Sequence, residues 1–131
     1  MAGEPIRELP GLWVSLDRVE YNPHEEGTPD RPYGFIYHIT IHNDSPRVVT
    51  IKGRKWVVRD AAGEVLAYEG DGVVGEFPRI APGERFHYSS YHLVGSDSRA
   101  EGAYLAVSDA GEAVLAHIPP FRMEIPADSQ A

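Results

Sequence analysis

The chain has 131 residues, a net charge of −8 from 20 acidic and 12 basic side chains, and no cysteine. That length suits one domain that buries about two-thirds of its unfolded surface, and the lack of cysteine excludes a disulfide framework, a thiolate metal centre and a Cys nucleophile. The acidic balance repels phosphate backbones and argues against nucleic acid, and no run approaches the roughly 18 apolar residues of a membrane helix.

The N-terminal "MAGEPIRELPG" has no apolar segment of signal-peptide type, so none is expected. With the lack of cysteine this points to a cytoplasmic protein. The first strand falls in "LWVSLDRVEY". Leu12, Val14 and Leu16 share one parity while Val19 and Tyr21 share the other. A strand changes faces only by inserting a residue, so a bulge is expected near Asp17–Arg18. "NPHEEGTPDRP" reads as a polar loop. "YGFIYHITIHN" is the clearest strand, with Phe35, Tyr37, Ile39 and Ile41 on a buried face and His38, Thr40 and His42 on the other.

"DSPR" turns the chain into a longer strand, "VVTIKGRKWVVRD", interrupted at Gly53. "DAAGE" leads through a hairpin into "VLAYEGDGVVG", and "FPRIAPGE" is a proline-rich connection. "RFHYSSYHL" sets Phe86, Tyr88 and Ser90 on one side and Arg85, His87 and Tyr91 on the other. After the polar loop "VGSDSRAEG", a second hairpin forms around "DAGE". With 13 glycines and 11 prolines punctuating short Val, Ile, Tyr and Phe runs, the pattern is all-β. About seven antiparallel strands are expected, as a two-sheet sandwich, with a small barrel as the alternative. The single domain has its core at about residues 12–126, and residues 1–11 and 127–131 are expected as flexible tails.

"GRKWVVRD", "GDGVVGEFPRIAPGERFHYSS", "EGAY" and "IPPFRMEIP" together resemble the ApaG domain family, and "YGFIYHITIHN" resembles that family's aromatic strand. The resemblance runs from about Trp13 to Pro126. It implies an immunoglobulin-like, fibronectin-type-III-like β-sandwich in a small bacterial cytosolic protein. It also implies a role in protein interaction, as supposed for the same domain in F-box proteins, and an association with divalent-cation tolerance. It implies no enzymatic activity and no cofactor. The family often carries T-S-G where this chain has Ser89-Ser90-Tyr91. Of the family's next motif, "VGSDSRAEGAY" keeps Gly102 and Tyr104.

Gly70, Gly72 and Gly75 have the G-x-G-x-x-G spacing of a dinucleotide site. That chemistry needs a helix after the third glycine. Here Glu76-Phe77-Pro78 and "APG" follow, which cannot be the first turns of one. A narrower alternative is an anion nest of backbone amides in this loop, with Arg54, Lys55 and Arg79 as nearby cations. His38 and His42 share a strand face, but at about 3.3 Å per residue their Cα atoms lie about 13 Å apart, too far to chelate one ion. His24-Glu25-Glu26 offers at most weak divalent-metal binding, and no metal site is assigned. Ser89 and Ser90 lack a nucleophile elbow, so no catalytic residue is assigned. Trp56 and Phe121 are expected in the core. Arg85, His87 and Tyr91 form an outward row of the residue types that dominate binding faces. The sequence is thus expected to encode a non-enzymatic module. It would bind an unidentified protein partner, or a second copy of itself, through an exposed sheet face or edge.

Overall fold

A computed structural model describes residues 6–130. Nine strands follow in chain order. They are β1 (Arg7–Glu8), β2 (Leu12–Asn22), β3 (Tyr33–Asn43), β4 (Val49–Asp60), β5 (Val65–Asp71), β6 (Arg79–Ile80), β7 (Arg85–Val94), β8 (Ser98–Ser108) and β9 (Ala113–Met123). The larger sheet has the order β1-β9-β8-β4-β5, with β6 also on β4, and the smaller has the order β2-β3-β7. Two open sheets stacked on a shared apolar layer make a sandwich, not a closed barrel. All pairings are antiparallel except β1 on β9.

Among the described residues the strand count is nine, not seven. The two additional strands, β1 and β6, have two residues each, too short for alternation to reveal. They form because longer neighbours offer backbone partners: Arg7 and Glu8 lie beside Val114 and Leu115, and Arg79 and Ile80 beside Thr50 and Val49. The stretch expected as an N-terminal tail therefore includes β1, while residues 1–5 lie outside the described residues. At the other end, residues 127–130 form a single 3-10 turn, and residue 131 is outside the described residues.

The expected bulge in β2 is present. Its register on β3 passes from Leu16 to Arg18, leaving Asp17 unpaired. Strand β4 runs through Gly53 without a break, but its register on β8 shifts between Ile51 and Gly53. Phe35, Tyr37, Ile39 and Ile41 are buried as their alternation requires, facing Ile51, Trp56 and Tyr104 of the larger sheet within one core. Trp56 is 2 % exposed, with its ring 5.0 Å from that of Tyr37 and 5.8 Å from that of Phe121. Where β8 passes over Trp56, residue 102 must be glycine. A Cβ there would stand 2.3 Å from the Lys55 carbonyl oxygen.

Candidate functional site

The glycine motif forms a turn and a strand end. Gly70 lies on β5 opposite Arg54. Val73 and Glu76 exchange backbone hydrogen bonds of 2.8 and 2.9 Å, closing a two-residue turn at Val74 and Gly75. Both central residues have positive φ, +44° at Val74 and +79° at Gly75, the signature of a type I′ turn. Gly72 also has positive φ, and a Cβ there would lie 2.1 Å from the Glu76 carbonyl oxygen. No helix follows; the chain enters β6.

The loop's polarity is opposite to that of a phosphate cradle. Amides of Gly72, Val73 and Glu76 donate to carbonyls of Lys52, Glu76 and Val73. The Arg54 guanidinium lies against Gly70 and donates to the carbonyl oxygens of Asp71, at 2.9 Å, and Gly72, at 3.1 Å. Arg54, Gly70, Gly72 and Gly75 are thus gathered on one strand end and its turn. Arg79 sits apart on β6, exposed and opposite Thr50.

The outer face of the β2-β3-β7 sheet carries a connected polar network. Cross-strand register sets Trp13 beside His42 and Ser15 beside Thr40. It also sets His42 beside Arg85, Thr40 beside His87 and Ile36 beside Tyr91. Arg85, His87 and Tyr91 are all exposed, as their shared parity requires. At the bulge, Asp17 accepts from the Thr40 hydroxyl at 2.6 Å and from the Ser15 hydroxyl at 2.7 Å. The hydrogen bond from Thr40 is the main reason the Asp17 carboxyl is held below the usual carboxylate range; desolvation opposes it, and Ser15 and His87 reinforce it.

These contacts determine the imidazole tautomers. A hydroxyl has one proton to give. Thr40 gives its proton to Asp17, so it accepts from His87 Nδ1, 3.0 Å away, and His87 carries its proton on Nδ1. Likewise Ser15 donates to Asp17 and accepts from His42 Nε2 at 2.8 Å. His38 Nε2 donates to Glu20 at 3.2 Å, and Arg18 reaches the other oxygen of Glu20 at 2.7 Å. The His42 ring stacks on Trp13 at 3.8 Å and 5° between planes, and Trp13 Nε1 donates to Asp44 at 2.8 Å.

His38 and His42 therefore bond to Glu20 and Ser15 separately. His38 instead stacks across the strand with His87, at 6.2 Å between ring centroids. Among the described residues no group of three or more His, Asp or Glu side chains is arranged to hold a metal ion. Ser15, His42 and Asp17 have the composition of a hydrolytic triad but not its direction. The Ser15 proton points to Asp17, and His42 donates to Ser15, so His42 does not stand as the base of a triad.

Sequence reasoning placed Thr40 on this face by parity, with His38 and His42, but missed Trp13 and Asp17 as members of it. Trp13 has the parity opposite to Leu12 and Val14, which was a usable signal. The contact between Asp17 and Thr40 gave none, because the two are 23 residues apart in sequence. On the inward side of β7, His92 is 8 % exposed among Tyr37, Trp56, Tyr68 and Phe121. Burial lowers its pKa to about 4, and among the described residues its Nε2 has no hydrogen-bond partner.

A family model described as the ApaG domain matches residues 23–108. The chain is 36 % identical over 124 residues to Protein ApaG of Acidithiobacillus ferrooxidans, covering 94 % of each. It is 42 % identical over 98 residues to Protein ApaG of Stenotrophomonas maltophilia, covering 74 % of this chain and 77 % of that one. A crystal structure of a Bordetella pertussis protein named ApaA superimposes with a TM-score of 0.79 at 29 % identity, covering 94 % of this chain and 99 % of that one.

Proposed function

The chain belongs to the ApaG domain family, and from that premise we propose that it is a non-enzymatic, cytoplasmic protein-binding module whose docking surface is the outer face of β2-β3-β7. The observation that carries this reading is a pair of large aromatics on one preorganised sheet face. Trp13 is 46 % exposed and Tyr91 is 49 % exposed. Trp13 is held by its stack on His42 and its bond to Asp44, so little side-chain freedom is lost when a partner covers it. Arg85 lies beside His42 in the adjoining strand, completing the Trp, Tyr and Arg set that most often dominates binding energy. The Ser15–Asp17–Thr40–His87 network holds the backbone between them in register and leaves its polar groups satisfied.

The test is capture from a native cell lysate with three immobilised proteins: wild type, the Trp13→Ala/Tyr91→Ala double variant, and a Val74→Asn control altered on the other sheet. Bound proteins are identified by mass spectrometry. A partner retained by wild type and control but lost by the double variant supports the reading. A partner retained equally by all three overturns it.

A further inference from the structure

From the free edge of the larger sheet we infer that two copies of this chain pair through antiparallel β5 strands about a two-fold axis at Tyr68. This surface is separate from the β2-β3-β7 face. Strand β5 ends the larger sheet, so among the described residues one side of its backbone has no neighbouring strand. Such an edge templates another strand unless it is blocked. The edge strands β2 and β1 are blocked: β2 carries the Asp17 bulge with Arg18 and Glu20, and β1 has two residues. Strand β7 presents Arg85, His87 and Ser89 with a single exposed large apolar side chain, Tyr91.

Strand β5 carries two acids, Glu69 and Asp71, but lacks the other defences. Its sequence, VLAYEGD, contains no lysine and no proline, and its pairing with β4 runs without a bulge. Among the described residues, seven large hydrophobics are exposed, two of them on β5 and two on the segment between β5 and β6. Val65 is 52 % exposed, Tyr68 38 %, Val74 50 % and Phe77 55 %. Val65, Val74 and Phe77 lie outside the core cluster, while Tyr68 stacks one side of its ring on His92 and leaves the rest exposed, and exposed apolar groups gathered near one edge mark an association surface.

The register follows from the strand itself. Tyr68 is the midpoint of Val65–Asp71, so a two-fold axis there pairs the strand over its whole length. Tyr68 then faces the partner's Tyr68. Leu66 faces the partner's Gly70, which leaves room for it. Ala67 faces the partner's Glu69, and Val65 faces the partner's Asp71. Every acid thus meets a small or apolar residue, and Arg59, the β4 neighbour of Val65, flanks the incoming carboxylate. Axes at Glu69 or Gly70 would set acid against acid, which opposes pairing. An axis at Ala67 leaves Gly70 and Asp71 without strand partners. A second copy is the occupant this edge fits, because an isologous pair needs only one self-complementary strand.

The test is sedimentation equilibrium of the full chain from micromolar to near-millimolar concentration, with circular dichroism to confirm each variant's fold. Wild type is expected as a dimer. Ala67→Glu sets like charges opposite each other on both sides of the axis and weakens association by about fivefold or more. Ala67→Lys sets opposite charges there and keeps or tightens the dimer. Because the chain has no cysteine, Tyr68→Cys should form a disulfide-linked dimer on mild oxidation, while Ser89→Cys on β7 should not. A wild type that stays monomeric overturns the inference. So do Ala67→Glu and Ala67→Lys changing association alike, Tyr68→Cys failing to cross-link, or Trp13→Ala dissociating the dimer, since that would move the interface to the other sheet.

Discussion

Replacing Val74 with asparagine should make this protein more stable. Val74 holds φ +44° in the type I′ turn, and left-handed backbone costs an L-residue about 1–2 kcal/mol, with β-branched residues the least suited. Asparagine tolerates that conformation, and Asn-Gly is the favoured pair for this turn. Val74 is 50 % exposed, so losing its partly buried methyl groups returns only part of that gain. The net expectation is a gain of roughly 0.5–1 kcal/mol, or about 2–4 °C in Tm. Urea denaturation followed by fluorescence and calorimetry measures it. Two glycine variants calibrate the reasoning. Gly75→Ala meets nothing within 4 Å, so it carries only the backbone cost, about 1 kcal/mol. Gly72→Ala adds a Cβ 2.1 Å from the Glu76 carbonyl oxygen and should cost roughly 2 kcal/mol or more. If Val74→Asn destabilises, or if Gly72→Ala costs no more than Gly75→Ala, the account of this motif as a strained turn is wrong.

The buried His92 should shape the acid limb of stability. Its folded pKa, about 4, lies below the unfolded 6.5, so its contribution is complete above pH 6.5 and is lost as pH falls toward 4, about 3 kcal/mol in all. His92→Phe should flatten the stability profile over that window, and an unchanged limb would show that another group controls it. On the outer face, the double variant Thr40→Ala/Asp17→Ala removes both oxygens that the His87 proton on Nδ1 approaches, at 3.0 and 3.4 Å. Imidazole nitrogen NMR should show His87 held as the Nδ1–H tautomer in wild type and released toward Nε2–H in the variant. A wild-type ring already on Nε2–H would refute the assigned direction of the network.

Much of the sandwich was legible because strand parity is local. The alternation in Phe35, Tyr37, Ile39 and Ile41 needs no knowledge of the rest of the chain to choose a buried face. The same rule exposed the β2 bulge, because Leu16 and Val19 could not otherwise share a side. The prolines after Gly75 are enough to rule out a nucleotide-binding helix, because their rings remove the amides and the backbone freedom that its first turns need. Two strands were not legible, since a two-residue strand has no period and exists only because a longer strand lies beside it.

The candidate site was legible only in outline. Arg85, His87 and Tyr91 could be placed on one outward row by parity, yet what each touches could not. His87 meets Thr40 from 47 residues away, and Thr40 meets Asp17 from 23. Arg54 looked like a cation near a glycine loop, and only the β4–β5 register turned it onto that loop's own carbonyls. The sequence by itself determined which residues turn inward, where the chain must bend and which family it joins, because backbone sterics and local alternation act between near neighbours. Tertiary structure decided which strands lie side by side, and so which histidine holds which proton and which edge stays open, because those depend on contacts between residues far apart in the chain.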